Sequence, residues 1–230
     1  MTKPRTIVVT GASRGIGMEL VKLCAQDKNN TVLALSRNVD KMNQAFAEFE
    51  NVNSAFLDLN SRTVKEDCTT LFSKYDSIDI LINNAGMLVN KPFTELTRED
   101  IESCYSVNII SVMETVQAVI PKMDFGHIVN ISSMGGFQGS VKFAGLSAYS
   151  TSKAALCSFT ELFSEEYKNT KIAMNCLCLG AAQTEMLEEA FPGYEAPVSA
   201  KEMAEFITSF ALNSNRWIKG KIIPVSLSTP

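Results

Sequence analysis

Tyr149 and Lys153 stand four residues apart in Tyr149-Ser150-Thr151-Ser152-Lys153, so on a helix a phenol and an ammonium become side-chain neighbours. A free phenol loses its proton near pH ~10, and a nearby cation favours the phenolate, which lets such a pair give and take a proton near neutrality. The spacing alone suits an ordinary surface pair equally well, so other groups must converge on it. Ser132 and Ser133 close an apolar run just before Gly135-Gly136, and one hydroxyl could meet an oxygen beside the tyrosine; Ser133 is the choice. Asn108, among Val107, Ile109 and Ile110, is a poor helix former whose amide needs partners if buried, and a satisfied core asparagine explains it too.

A second group of residues is built to approach an anion. Thr10-Gly11-Ala12-Ser13-Arg14-Gly15-Ile16-Gly17 joins an apolar strand to an amphipathic stretch, placing small residues where backbone amides can reach a pyrophosphate at a helix N-terminus. The spacing is GxxxGxG, not the GxGxxG fingerprint, and a plain tight turn remains open. The next strand ends at Ser36 with no acid to hold ribose hydroxyls, and Arg37 follows. A guanidinium pairs with a 2′-phosphate that a carboxylate would repel, and Arg14 could add a second cation, so NADP(H) is favoured over NAD(H). Asp58 could accept from an adenine amine or cap the following helix. Asn83-Asn84-Ala85-Gly86 could shape a ligand crevice or simply turn the chain.

Positioning these groups requires a layered scaffold. Strands are expected at Thr6–Thr10, Thr31–Ser36, Val52–Asp58, Ile78–Asn83, Gly126–Ser132, Ile172–Leu179 and Lys221–Leu227. Helices are expected at Ile16–Gln26, Val39–Phe49, Ser61–Tyr75, Arg98–Lys122, Ala148–Tyr167 and Ala200–Leu212. The alternation predicts an α/β, doubly wound Rossmann-type fold: a seven-stranded, mostly parallel sheet with helices on both faces, in one domain spanning 1–230. Met134–Ser147 and Met186–Val198 read as irregular segments after strand C-termini, where an open α/β sheet binds ligands.

A formal charge of -4 argues against nucleic acid as a partner. The apolar runs are too short to cross a bilayer, and no signal stretch follows Met1, so a cytoplasmic chain without a membrane partner is expected. Six cysteines without a CxxC unit read as reduced, buried thiols. Cys176 and Cys178 face one side of a strand and are expected in the core, with no metal bound. The single histidine, His127, excludes a multi-histidine zinc site, and any Ser-His-Asp triad would have to use it.

Taken in order, TGASRGIG at 10–17, NNAG at 83–86, VNI at 107–109, IVNISS at 128–133 and YSTSK at 149–153 resemble the compact single-domain branch of the short-chain dehydrogenase/reductase family over nearly the whole chain. The resemblance implies cofactor contacts from Gly11, Ser13, Arg14, Gly15, Ile16 and Gly17, with Asp58, Asn84, Ala85 and Gly86 by the adenosine and Ser36 and Arg37 at the 2′ position. It implies Asn108, Ser133, Tyr149 and Lys153 as the catalytic set: Tyr149 protonates a carbonyl oxygen, Ser133 polarises it, Lys153 lowers the tyrosine pKa and binds the nicotinamide ribose, and Asn108 holds a water. After the sixth strand the family's Pro-Gly reads Leu179-Gly180, Thr184 is kept, and Ala182 replaces a branched residue, which leaves Gly180, Ala182 and Thr184 to seat the nicotinamide.

The expected activity is NADPH-dependent reduction of a small or medium ketone, aldehyde or diketone, since the segment after Met186 is short for a lid. Phe137, Phe143 and Leu146 are expected as apolar lining. The alternatives are a 3-oxoacyl thioester reductase and a non-catalytic NADP(H)-binding regulator. A homodimer is expected through Ala154, Ala155, Phe159 and Phe163, and Pro224 in the last strand disfavours a tetramer.

Overall fold

Seven strands, β1 (Thr6–Thr10), β2 (Thr31–Ser36), β3 (Val52–Phe56), β4 (Ile80–Asn83), β5 (Phe125–Ser133), β6 (Lys171–Leu179) and β7 (Ile222–Val225), form one sheet in the order β3-β2-β1-β4-β5-β6-β7. All six pairings are parallel, one step beyond the mostly parallel expectation. The computed structural model describes residues 4–227, so Met1–Lys3 and Ser228–Pro230 of the expected domain lie outside the described residues. Connections run outward in opposite directions from β1 and β4, so the strand order reverses between them and a crevice opens at their C-terminal ends.

Alternation along the strands distributes the core to both faces. Ile7 and Val9 of β1 pack with Leu20 and Val21 of α1 (Gly15–Ala25), Met42 of α2 (Val39–Ala45) and Ile207 of α8 (Ala200–Asn213). Val8 points the other way, into a cluster with Phe72 of α3 (Val64–Phe72), Val116 of α5 (Ser111–Val119) and Leu156 of α6 (Ser147–Glu166). Phe72 is fully buried, and truncating it to alanine costs about 3–5 kcal/mol through lost transfer energy and the cavity left behind. Pro224 sits in β7 at the sheet edge, where a missing N–H breaks no further pairing.

The continuous helix expected over 98–122 is divided. A capping box between Thr97 and Asp100 starts α4 (Arg98–Tyr105), and a π turn at Ser106–Ile110 follows, in which the Ser111 N–H reaches back five residues to the Ser106 carbonyl. After α5, Pro121 enters a 3-10 turn at Ile120–Lys122. β3 stops at Phe56, short of the expected Asp58, because Asp58 turns back to accept from the Asn60 N–H at 3.0 Å. The expected irregular stretch over 186–198 contains a short helix, α7 (Glu185–Ala190), whose N-cap Thr184 accepts from the Leu187 N–H.

Candidate active site

The glycine turn and the end of β4 are stitched together by one threonine. The Thr10 hydroxyl accepts from the N–H groups of Asn84 and Ala85, both at 3.2 Å, and the Asn84 amide donates to the Thr10 and Gly11 carbonyls. Gly11 has φ +70 and lies so close that an added Cβ would come within 2.8 Å of the Ala85 Cα, so only glycine fits. Asn84 therefore acts as a clamp on the turn, and Gly17 is buried against its amide. Thr10 was not singled out in the sequence, although a threonine ending the strand before a glycine turn is the signal for it.

At the start of α1, Arg14 occupies the N-cap position and supplies no side-chain cap, and the first turn carries no acid. α2, α4, α7 and α8 all have such a cap. Among the described residues no side chain caps the first N–H groups of α1, as is also true of α3 and α6, and these groups can meet an anion. Ser36 donates to Ser13 at 2.8 Å across the mouth of the turn, and Arg37 is exposed and joins no ion pair among the described residues. Arg14 is not free: its guanidinium grips Glu189 of α7 at 2.5 and 3.3 Å. Asp58 is half-buried beyond β3 and caps no helix, since α3 begins after Thr63.

Strand alternation separates the two serines. Ser132 is buried and donates to the Lys153 carbonyl at 2.9 Å, whereas Ser133 lies on the opposite side of the strand, accepts from the Gly135 N–H and sits near the Tyr149 hydroxyl. Tyr149 is half-buried at this point of α6. Burial pushes this phenol above its ordinary value, and the neighbouring Ser133 hydroxyl pulls partly back. The Lys153 ammonium lies 6.0 Å from the tyrosine ring centre and donates to the Ile131 carbonyl at 2.7 Å.

Lys153 is 3% exposed, and burial pushes it down to about 8 against the opposing influence of nearby cysteines, Cys176 first. A methyl group at position 86 would sit 3.4 Å from its Nζ and 3.5 Å from Asn108 Oδ1, so Gly86 leaves space directly over the ammonium. The Asn108 side chain makes three hydrogen bonds inside the π turn. It accepts from the Met87 N–H at 2.8 Å and donates to the Met87 carbonyl at 2.8 Å and Ser152 at 2.9 Å. This amide therefore pins the loop after Gly86 to α6; both of its N–H donors are used, while Oδ1 accepts one bond and keeps a second lone pair to which a water can donate. Behind it Asn83, Asn130 and Thr160 form a buried relay of 2.8 and 3.0 Å bonds that fixes β4, β5 and α6.

The surrounding walls differ from expectation in three places. Ala182 is 7% exposed and turned into the core, so its side chain does not face the crevice. Gly180 packs against Ser226, and Thr184 touches the Gly15 position. Leu146, at the α6 N-cap, is buried and Phe137 packs on the cysteines Cys157, Cys176 and Cys178, so of the three expected lining residues Phe143 alone is exposed, beside Val141. Asn90 donates to the Ala190 carbonyl and the Lys91 N–H to the Gly145 carbonyl, which draws the loop after β4, the α6 entry and α7 together.

His127 lies toward the N-terminal half of β5, buried, with Nδ1 donating to the Ala211 carbonyl at 2.9 Å and Nε2 accepting from the Asn175 amide at 3.0 Å. Both nitrogens are used and burial pushes it down to about 4, so it is neutral and takes no part in a triad.

The sequence profile described as short chain dehydrogenase matches residues 5–195. The chain belongs to the short-chain dehydrogenase family. It is 30% identical over 210 residues to an uncharacterized oxidoreductase of Staphylococcus saprophyticus, covering 87% of this chain and 88% of the relative. It is 31% identical over 191 residues to the 3-oxoacyl-acyl-carrier-protein reductase FabG of Chlamydia pneumoniae, covering 79% and 75%. A short-chain dehydrogenase of Escherichia coli solved with NADPH superposes with a TM-score of 0.86 at 29% identity, covering 96% of each chain. Among short-chain dehydrogenases, this chain is an oxidoreductase whose parallel sheet follows the family fold.

Proposed function

We propose that this short-chain dehydrogenase is an NADP(H)-dependent reductase that converts the carbonyl of a small or medium ketone, aldehyde or diketone to an alcohol. The observation that carries the reading is the convergence of Ser133, Tyr149 and Lys153 beside Gly86, at the same C-terminal end of the strands as the uncapped start of α1. These residues fit a nicotinamide dinucleotide: the α1 N–H groups suit a pyrophosphate, Arg37 a 2′-phosphate and the space over Lys153 Nζ a ribose. The absence of an acid at Ser36 supports NADP(H) over NAD(H).

The bound cofactor supplies hydride to the carbonyl carbon. Tyr149, held protonated by burial, donates its proton to the carbonyl oxygen as charge develops there. Ser133 aims its hydroxyl at the same oxygen and fixes the carbonyl beside the phenol. Lys153, still cationic near neutrality, stabilises the phenolate left behind. Asn108 acts on positioning, because its amide locks the Met87 loop to α6. Phe143 and Tyr194 supply exposed apolar surface at the crevice margins.

A 3-oxoacyl thioester reductase is the second reading, favoured by the FabG relatives. The chain's net charge of -4 makes docking of an acidic carrier less natural. A homodimer through α4–α5 and α6 is supported by the exposed apolar Ile110, Met113 and Leu162; Phe163, buried at 5% exposure, cannot take the contact expected of it. Oxidation of NADPH and NADH with ketones, aldehydes, diketones and carrier-bound 3-oxoacyl substrates tests these readings. Turnover with NADPH and free carbonyls, lost in Tyr149→Phe, supports the first; turnover confined to thioesters supports the second. Tight NADPH binding without turnover on any substrate overturns both in favour of a binding regulator.

A further inference from the structure

Three thiols meet behind the candidate active site. Cys157 lies one helical turn beyond Lys153 on α6, and Cys176 and Cys178 project from the same face of β6. The Sγ of Cys157 is 3.9 Å from that of Cys176 and 3.6 Å from that of Cys178, and all three sulfurs lie within 4.8 Å of one another. Cys176 and Cys178 are fully buried, Cys157 is 8% exposed, and the cysteines are free. Cys176 and Cys178 stand two apart and Cys157 lies nineteen residues earlier, so spacing alone gave no metal-ligand pattern.

We propose that Cys157, Cys176 and Cys178 form a binding site for a soft, thiophilic metal ion of the zinc, cadmium or copper(I) type. The geometry carries this. Zinc–thiolate bonds of about 2.3 Å in a tetrahedron place sulfurs about 3.8 Å apart, matching the 3.6 and 3.9 Å found. At the widest spacing a point equidistant from the three sulfurs lies about 2.4 Å from each. An all-sulfur donor set selects soft ions over calcium or magnesium. Ser132 Oγ, 3.5 Å from Cys157 Sγ, adds an oxygen on the side of Lys153. Binding a divalent ion breaks three S–H bonds, forms three metal–sulfur bonds and releases three protons to solvent. The resulting single negative charge lies within electrostatic reach of the Lys153 ammonium, which partly balances it in the interior.

The test is a cadmium(II) titration of the reduced full-length protein, read by thiolate-to-metal charge-transfer absorption and by proton release in weak buffer. The expected result is one ion per chain with three thiolates and three protons. Cys157→Ser and Cys178→Ser should each weaken binding roughly 100-fold or more, while Cys24→Ser and Cys68→Ser, in other parts of the core, leave it unchanged. X-ray absorption on the wild-type complex counts sulfur neighbours without relying on the folding of any variant. A sulfur count below three, absence of one-to-one binding, or full affinity in folded Cys178→Ser would overturn the proposal.

Discussion

Arg14 and Glu189, 175 residues apart in sequence, meet in a two-pronged ion pair that latches α7 onto the first glycine turn. Thr184 and Glu185 lie against Gly15 on the same side, so a carboxylate already occupies the cation proposed to assist the 2′-phosphate. Glu189→Gln should free Arg14 and tighten NADPH binding about two- to fivefold, the modest size reflecting an exposed pair. Titration by nucleotide fluorescence checks this, and unchanged or weaker binding would remove Arg14 from the phosphate site.

Ser132 and Ser133 should separate stability from activity. Ser132→Ala removes a buried hydrogen bond to the Lys153 carbonyl and should cost about 1–2 kcal/mol in urea unfolding. Ser133→Ala should leave the unfolding midpoint nearly unchanged and lower kcat about 10²–10³-fold, as loss of an oxyanion donor does. The reverse pattern would reassign the two hydroxyls.

Lys153 sets a pH limit on reduction. Tyr149 is held protonated above its ordinary range, so the group that changes first with rising pH is Lys153, cationic below about 8 and neutral above it. The kcat/KM for carbonyl reduction should be level below that point and decline above it, since this ratio reports the free protein. Lys153→Met should lower kcat about 10²–10³-fold and abolish the break. A profile level to pH 10 would count against the lysine's charge as the controlling feature.

His127 predicts a separate effect on stability. Its folded pKa, pushed down to about 4, lies below the ordinary 6.5, so the unfolded chain binds more protons between those values. Stability from this site is fully present above pH 6.5 and is lost as pH falls through about 4, an effect on the order of 3 kcal/mol. Urea midpoints at pH 4.5 and 7 should differ accordingly, with a smaller difference in His127→Gln.

The periodic parts of the fold were legible because they are local. β1 and β2 have the bounds read from their β-branched runs, and the near-continuous hydrophobicity of Ile7-Val8-Val9 foretold a sheet covered on both faces. The choice of Ser133 over Ser132 also follows the two-residue period of a strand. The split of the 98–122 helix was not legible, because the π turn is held by Asn108 bonding to Met87 and Ser152, residues outside its own periodic pattern.

The sequence by itself determined the strand order's raw material, the glycine turn and the spacing that brings Tyr149 and Lys153 onto one helical face. Only the tertiary structure decided that Arg14 is held by Glu189, that Phe163 is interior rather than interfacial, that Ala182 turns inward and that Cys157 joins Cys176 and Cys178. Helical and strand periods fix which side of its own element a residue occupies, whereas these relationships depend on how separate elements pack, and packing is settled by burial and hydrogen bonding summed over the whole chain.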